Sequence, residues 1–528
     1  MDDLPNELII EIASYLEDPS LQSTVWSLAN VNRRFYSLLI RSLYTAYSSY
    51  RGEPELFLRT ISSASDLGHS VKYVSWDHND GHRLSLASKT RSVSTTEQIA
   101  SKLRTLGSPS AQELAPLFSH LVSAEIKFTD TFLCTLLLFT PNVKALEIAN
   151  TKWWPNHTHW LKPVAENGHL FTHLTEANVC GPLRINNVLP LFTVPSLRVA
   201  RLTNISVNRD RLRPGIAEEW ETNQDYWKRL HKEGSFVEHL HVIQCYSGTV
   251  DVMKLLGVFH RLKLFSFDNC EGRTDADDMY SVLRACVRHN KSLESLRLRD
   301  WHEYADAYCL HPLRKFQNLK SLNIALPTFG VQRLSEEDPE RLKNLLECLP
   351  VCLEELMLVA NDIEGDQYSP CDEFVDTLLA VAPSVPSMLP NLRLLAITDW
   401  GPLLDIFPCQ TQLTALESAF AINSIKFLSL PSLEFWGDCV YSLDHVEPDW
   451  VWVQPYQLET GKWLQDLNWG RAVSRLNVEV DDVEEDPDWL IVWSRIDTEG
   501  WGSQSIMDEY SSEQPIWYWN QLHPENQQ

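Results

Sequence analysis

The sequence predicts an α/β protein: three short N-terminal helices, then an irregular solenoid of strand–helix units, then an acidic, tryptophan-rich C-terminal cap. Three observations predict it. Apolar residues recur at three- and four-residue spacing in positions 1–45. A short pattern, apolar-x-x-apolar-x-apolar, returns throughout positions 46–437. Positions 438–528 hold 19 Asp and Glu against 4 Lys and Arg, with 9 of the 19 Trp.

The first helix is expected from Asp3-Leu4-Pro5-Asn6-Glu7-Leu8. Asp3 is placed to cap free backbone N–H groups, and proline in a first turn loses no hydrogen bond. Leu8, Ile12 and Leu16 then form an apolar stripe with Ile9 beside it, and Asp18-Pro19-Ser20 ends the helix. A second helix is expected through Val25, Leu28, Ala29 and Val31. A third follows Asn32, with Phe35, Leu38, Leu39 and Leu43 on its face. Three helices of this size bury too little surface to stand alone. They serve either as a plain cap on a larger domain or as a docking module for a partner.

The residues Leu4-Pro5-x-Glu7-Leu8-x-x-x-Ile12-x-x-x-Leu16, Leu28-x-x-Val31-Asn32-Arg33-Arg34-Phe35 and Leu43-Tyr44 resemble an F-box. Many F-boxes carry Cys and Trp in the third-helix motif; Asn32 and Phe35 stand here, of similar polar and aromatic character. The resemblance implies a module that docks on a Skp1-type adaptor and, through it, on a cullin. The residues it assigns to that interface are Leu4, Pro5, Leu8, Ile12, Leu16, Leu28, Val31 and Phe35.

The six-residue pattern reads Val71–Trp76, Val143–Ile148, Val237–Val242, Leu262–Phe267, Leu293–Leu298, Leu319–Ile324, Leu353–Leu358 and Leu392–Ile397. Weaker copies stand at Phe171–Glu176, Leu197–Leu202 and Leu413–Ser418. Stretches of helical spacing lie between, at Met253–Phe259, Tyr280–Val287, Leu342–Leu349 and Phe374–Val381. A strand–helix unit cannot bury its apolar face alone, whereas stacked units share one core. An irregular α/β domain without a solenoid is the alternative. The region resembles the divergent leucine-rich repeats of fungal F-box proteins. Its strands would line a concave face, with target-binding side chains at the x positions and just past each strand. The candidates are Tyr73, Trp76, His239, His241, Arg297, Arg299, Asp300, Trp301, Asn323 and Trp400.

In positions 438–528 the net charge is −15 of the chain's −26. Disordered acidic tails are poor in aromatic residues, so nine tryptophans argue for a folded, capping segment. The runs Leu430–Trp436 and Ala472–Val480 read as strands, and Asp481–Asp488 as an acidic loop without the residue order of a calcium site.

Composition excludes several function classes. With 45 Lys and Arg against 71 Asp and Glu, no basic face for nucleic acid or anionic membranes is expected. A membrane span, a signal peptide and a disulfide framework are likewise not expected, the 11 Cys being scattered and odd in number. A cytoplasmic or nuclear location follows as an expectation. A GxSxG elbow, a phosphate-binding P-loop and an HExxH helix are all missing from the sequence. His157 with His159, and His239 with His241, read as surface or packed histidines, and Cys348 with Cys352 as packing residues. No metal, cofactor or catalytic set is expected. The expected role is substrate recognition for a Skp1–cullin–F-box ubiquitin ligase, acting on an unknown protein target. The alternative is a non-catalytic interaction scaffold outside such a complex, with an enzyme of unfamiliar active site as a third reading.

Overall fold

The computed structural model describes residues 4–16, 22–49, 54–77, 93–120, 126–149, 161, 171–183, 185–206, 217–246, 249–269, 277–300, 311–325, 338–359, 370–398 and 410–430. The chain groups into two units, Met1–Gly401 with Phe407–Leu433, and Pro402–Ile406 with Glu434–Gln528. Every described residue belongs to the first. The expected strands at 472–480 and the whole segment 438–528 lie outside the described residues.

The N-terminal helices are α1 (Asn6–Ser14), α2 (Gln22–Ala29) and α3 (Arg33–Leu43). Ile9, Ala13, Val25, Ala29, Phe35 and Leu39 form their shared core, with Leu4, Leu16, Leu28, Leu38 and Leu43 packed partly against it. The buried stripe of α1 is thus Ile9–Ala13, one position away from the expected Leu8–Ile12. Asn32 caps α3 as its sequence suggests: its Oδ1 accepts from the Phe35 amide at 2.9 Å. Arg34 ties α3 to the start of α1, its Nε donating to Asn6 Oδ1 at 2.9 Å and its guanidinium also donating to the Leu4 carbonyl.

The module runs directly into a sheet of twelve strands, all parallel and in sequence order. They are β1 (Ala46–Ser48), β2 (Tyr73–Asp77), β3 (Ala145–Ala149), β4 (Glu176–Leu183), β5 (Val199–Ser206) and β6 (His239–Tyr246). They continue as β7 (Leu264–Asn269), β8 (Ser295–Asp300), β9 (Ser321–Ala325), β10 (Glu355–Val359), β11 (Leu394–Thr398) and β12 (Lys426–Leu430). Helices alternate with the strands, as parallel pairing requires of its crossovers. The result is a solenoid-like α/β repeat. The expected helices are present at Thr249–Leu256, Asp277–Cys286, Asp338–Glu347 and Pro370–Val381. Two expectations fail: the copy at Phe171–Glu176 is turn up to Thr175, its strand starting three positions later than expected at Glu176, and Leu413–Ser418 is not a strand but part of the helix Gln410–Ala421, the twelfth strand starting at Lys426. An L-x-x-L pair suits both periods. The third apolar residue that would mark a strand is Ser418, whereas Phe420 continues the helical stripe, and Leu416 and Phe420 are buried.

Register aligns the apolar positions into rows. Leu240, Phe265, Leu296, Leu322, Leu356, Leu395 and Phe427 are successive partners. So are Val242, Phe267, Leu298, Ile324, Leu358 and Ile397. Both rows face the helices, since Leu356, Leu358 and Leu395 line one small cavity with Leu342, Leu346, Leu378, Val381 and Phe420 of the surrounding helices. Each such side chain taken fully out of water contributes about 1.5–3 kcal/mol.

Polar atoms hold neighbouring units in step. The residue before each of β5–β11 donates its amide to the corresponding carbonyl of the previous unit, as in Lys263 N to Glu238 O at 2.7 Å and Glu294 N to Lys263 O at 2.7 Å. One position before the first apolar residue of a motif stands a small hydrogen-bonding side chain that reaches back to the preceding turn. Asn142 donates to His69 O (2.8 Å), Ser196 to Phe171 O (2.7 Å) and Ser292 to Leu262 O (2.9 Å). Asn318 donates to Lys291 O (2.6 Å), Cys352 to Leu319 O (3.3 Å) and Asn391 to Val351 O (2.8 Å). Carbonyls in turns lack the regular partners of a helix or sheet, so these side chains help meet a backbone demand.

Candidate functional site: a helical docking face and the open face of the sheet

Two surfaces carry the residues the sequence singles out. On the helical module, Leu8 is 43% exposed and Ile12 46%, with Tyr15 a further turn along α1. Trp26 on α2 is 57% exposed, and Val31 in the turn before α3 is exposed as well. Seven of the fourteen large exposed apolar side chains among the described residues lie between Leu8 and Tyr36. Apolar exposure on that scale within so short a stretch makes the module a candidate interaction surface. Pro5 is exposed, while Leu4, Leu16 and Leu28 are half-buried against the module core. Phe35 is different: it is buried in that core and does not present its ring outward. Its ring belongs to the core cluster with Ile9, Ala13, Val25, Ala29 and Leu39. Ile10, Tyr15, Trp26 and Tyr36 complete the exposed set and were not expected from the motif. Carrying the Leu8–Ile12 stripe on by three residues would have found Tyr15, since 8, 12 and 15 share a face.

The module is fixed to the first strands. The Tyr44 ring stacks on Phe57 (centroids 5.5 Å, 22°), and Tyr47 lies 4.3 Å from the same ring and 6.4 Å from Trp76. The Thr45 carbonyl accepts from the amides of Lys72 and Tyr73 at 2.7 and 3.1 Å. Tyr47 and Trp76 are both buried, so this junction is a small core of its own.

The second surface is the sheet face turned away from the helices. Alternation along the strands assigns to it Tyr73, His239, His241, Arg297 and Asn323, as expected. Trp76 is the exception. It is the register partner of Ile148, in the row that faces the helices, and it is buried. Its place as the last apolar residue of its motif already implied this. The expectation of free exposure also fails for His241, Arg297 and Asn323, which are buried although they sit on the face away from the helices. Parallel strands stand about 4.8 Å apart, so long side chains on one row cover their neighbours. Tyr73 and His239 are half-buried. Arg299 and Asp300 lie at the end of β8, with side chains outside the description; Trp301, Trp400, His157 and His159 lie outside the described residues.

The central row of this face, Arg201–His241–Ser266–Arg297–Asn323–Met357, is polar through five of its six members. The Arg201 guanidinium pairs with Glu176 one strand away. Asn323 Nδ2 donates to Met357 Sδ at 3.1 Å. Beyond it, burial raises the carboxyl of Glu355 above the usual carboxylate range, a hydrogen bond from Ser321 working against that and the charge of Glu354 adding to it. At the strand starts, by contrast, the hydrogen bond from Lys263 holds Glu238 below its usual range against a smaller burial effect, with Lys263, Arg198 and His239 charges assisting.

Two buried groups lie in the repeat core. Burial pushes the Cys286 thiol up and the His289 imidazole down, the latter with its Nε2 2.9 Å from the Leu256 carbonyl. Among the described residues, no three His, Cys, Asp or Glu side chains are grouped to hold a metal ion, and no helix is long and apolar enough to cross a membrane. Cys348 and Cys352 are not joined in a disulfide, and the Cys352 thiol donates to the Leu319 carbonyl. No protein-family model and no curated protein matches this chain.

Proposed function

We propose that this chain is the substrate-recognition subunit of a ubiquitin ligase of the Skp1–cullin–F-box type. Its N-terminal helices act as an F-box that docks on a Skp1-type adaptor, and its strand–helix units act as leucine-rich repeats that hold a protein target. The cluster of exposed apolar side chains on the module, Leu8, Ile12, Tyr15, Trp26 and Val31, carries the reading. The aromatic junction of Tyr44, Phe57, Tyr47 and Trp76 supports it, because a target is brought near a lysine-modifying enzyme only if docking module and repeats move together. In this role the chain makes and breaks no bonds. It raises the effective concentration of a target lysine beside the charged conjugating enzyme. Its work lies in the cytoplasm or nucleus, where its thiols stay reduced.

Affinity capture of the full chain tests this. Wild type is expected to recover a Skp1-type adaptor, and the double variant L8D/I12D to lose at least tenfold of it. Both positions are exposed, so the variant is expected to melt within about 0.5 kcal/mol of wild type. Failure of wild type to recover the adaptor, or unchanged recovery by a folded L8D/I12D, refutes the proposal.

A further inference from the structure

The edge of the repeats where the strands begin carries an unbalanced charge. Positions 257–263, 284–295 and 311–320, the helix ends and turns that lead into β7, β8 and β9, hold eight Lys and Arg against Glu294 as their single acid, in a chain of net charge −26. Hydrogen bonds stack these turns on one another. The His260 amide donates to the Ser235 carbonyl at 3.2 Å, Ser292 Oγ to the Leu262 carbonyl at 2.9 Å, and Asn318 Nδ2 to the Lys291 carbonyl at 2.6 Å. Neighbouring turns therefore stand one strand spacing apart, about 4.8 Å.

Four of the cations, Arg261, Arg288, Lys291 and Lys315, are exposed and have no ion-pair partner among the described residues. The acids around them are engaged with other cations. Glu233 pairs with Arg229 at 2.9 Å, Asp251 with Lys254 at 3.1 Å and Glu238 with Lys263 at 2.5 Å, and Glu294 lies 4.0 Å from Lys320. Glu347 adjoins Arg314, whose Nε donates to its carbonyl at 2.7 Å, so Arg314 is not counted with the four. Arg288 reaches back to the preceding turn, its Nη1 lying 3.0 Å from the place a Cβ on Gly257 would take. Like charges on adjoining turns repel one another, and a partner's carboxylates turn that repulsion into attraction.

An apolar anchor adjoins the four. Phe236, just before Val237, is 50% exposed. Its ring lies 5.8 Å from the His260 ring and 5.8 Å from the Arg198 guanidinium, so it is held in place between them. His260 directly precedes Arg261, which sets the Phe236 ring beside the first of the free cations.

We propose that Phe236, Arg261, Arg288, Lys291 and Lys315 form a docking surface for an acidic segment of a partner protein. One apolar side chain of that segment packs on the Phe236 ring, and its carboxylates accept from the cations. The run from β6 to β9 is three strand spacings, about 14 Å, which about four residues of extended peptide cover. An exposed ring beside cations matches the mixed side chains of a protein segment. Nucleic acids and anionic membranes spread their phosphates over a wider area, where the chain's net charge of −26 repels them. This surface lies on the repeats and does not depend on the ligase reading.

Fluorescence anisotropy of the full chain with a labelled, capped peptide of leucine joined to pentaglutamate tests it. The leucine is placed at either end, and leucine joined to pentaglutamine is the control. In at least one order the glutamate peptide is expected to bind at least tenfold tighter than its control, and more weakly as salt rises. The altered side chains are all exposed, so the variants are expected to fold. R261Q/K291Q is expected to lose at least tenfold and F236A severalfold, since hydrogen bonds between charged groups are the strong ones. K102Q/R104Q removes two exposed charges from the helix Val93–Leu106 and is expected to bind as tightly as wild type. Equal binding of glutamate and glutamine peptides overturns the proposal. So does unchanged binding by folded R261Q/K291Q, or an equal loss in K102Q/R104Q. Decathymidylate or phosphatidylserine vesicles bound tenfold tighter than the peptide overturn the assignment to a protein partner. Adaptor capture scored on the same preparations separates the two readings. A chain that recovers the adaptor but ignores the glutamate peptide refutes this inference alone, and one that binds the peptide without the adaptor refutes the ligase reading alone.

Discussion

Reversing one charge at the strand starts probes what holds the repeats in register. The residues just before β5–β11 run Arg198, Glu238, Lys263, Glu294, Lys320, Glu354 and Arg393, alternating in sign without a break. Glu238 lies between two cations, with its Oε2 2.5 Å from Lys263 Nζ and its Oε1 3.9 Å from Arg198 Nε. Further along, Lys320 stands 4.0 Å from Glu294 and Arg393 3.6 Å from Glu354. The side chains involved are partly exposed, so solvent screening limits each pair to about 0.2–1 kcal/mol. E238Q, which removes both attractions, is expected to cost about 1 kcal/mol. E238K turns them into repulsion within a run of three cations and is expected to cost about 2 kcal/mol. Hydrogen exchange at the Lys263 and Leu264 amides, both bonded to the Glu238 carbonyl, reports this locally. One factor of ten corresponds to about 1.4 kcal/mol, so exchange is expected to speed up roughly fivefold in E238Q and thirtyfold in E238K at low salt. At about 0.5 M salt the Debye length shrinks to about 4 Å, and the E238K effect is expected to fall below tenfold. The charge swap E238K/K263E is expected to recover part of the loss. The folded pKa of Glu238 is depressed, so its contribution is present above the unfolded pKa and is lost as the pH falls through the folded one; wild type and E238Q converge once the pH lies below the folded pKa. If E238K exchanges no faster than E238Q, or if salt leaves the difference unchanged, the alternating charges do not act as a register device.

Two further outcomes follow from single positions. Glu355 has a raised folded pKa, so its ionised form penalises the fold above that pKa and the penalty disappears below the unfolded one; E355Q is expected to raise the melting temperature at pH 7 and not at pH 4. Gly234 has φ +74° and ends the helix Ala217–Glu233, and a Cβ there would stand 1.9 Å from His260 Nε2, which hydrogen-bonds the Glu233 carbonyl at 2.8 Å; G234A is expected to cost at least about 1 kcal/mol in a urea melt, through strain and loss of that bond.

Much of the repeat was legible because its signal is local. Eight motif copies each became a strand at the expected place, since a parallel strand buried on one face needs its apolar residues two apart. The small polar residue before each motif, as in Pro141-Asn142-Val143 or Pro390-Asn391-Leu392, was equally visible and went unused. Its role depends on a carbonyl 22–73 positions away, and no local pattern shows that. The strand β1 was missed because Ala46–Ser48 is too short for periodicity to show. Leu413–Ser418 was misplaced because two apolar residues three apart fit both a helix and a strand.

The sequence by itself determined the order of the chain: three helices capped at Asn32, then strand–helix units in register, because capping and periodicity act over a few residues. Only the tertiary structure decided which faces remain available. It turned Ile9 inward and left Leu8 and Ile12 outside, put Trp76 among the helix-facing core residues, and buried Arg297 between Ser266 and Asn323. Each of those outcomes depends on what a neighbouring element covers, and burial is a property of packing between segments far apart in the chain.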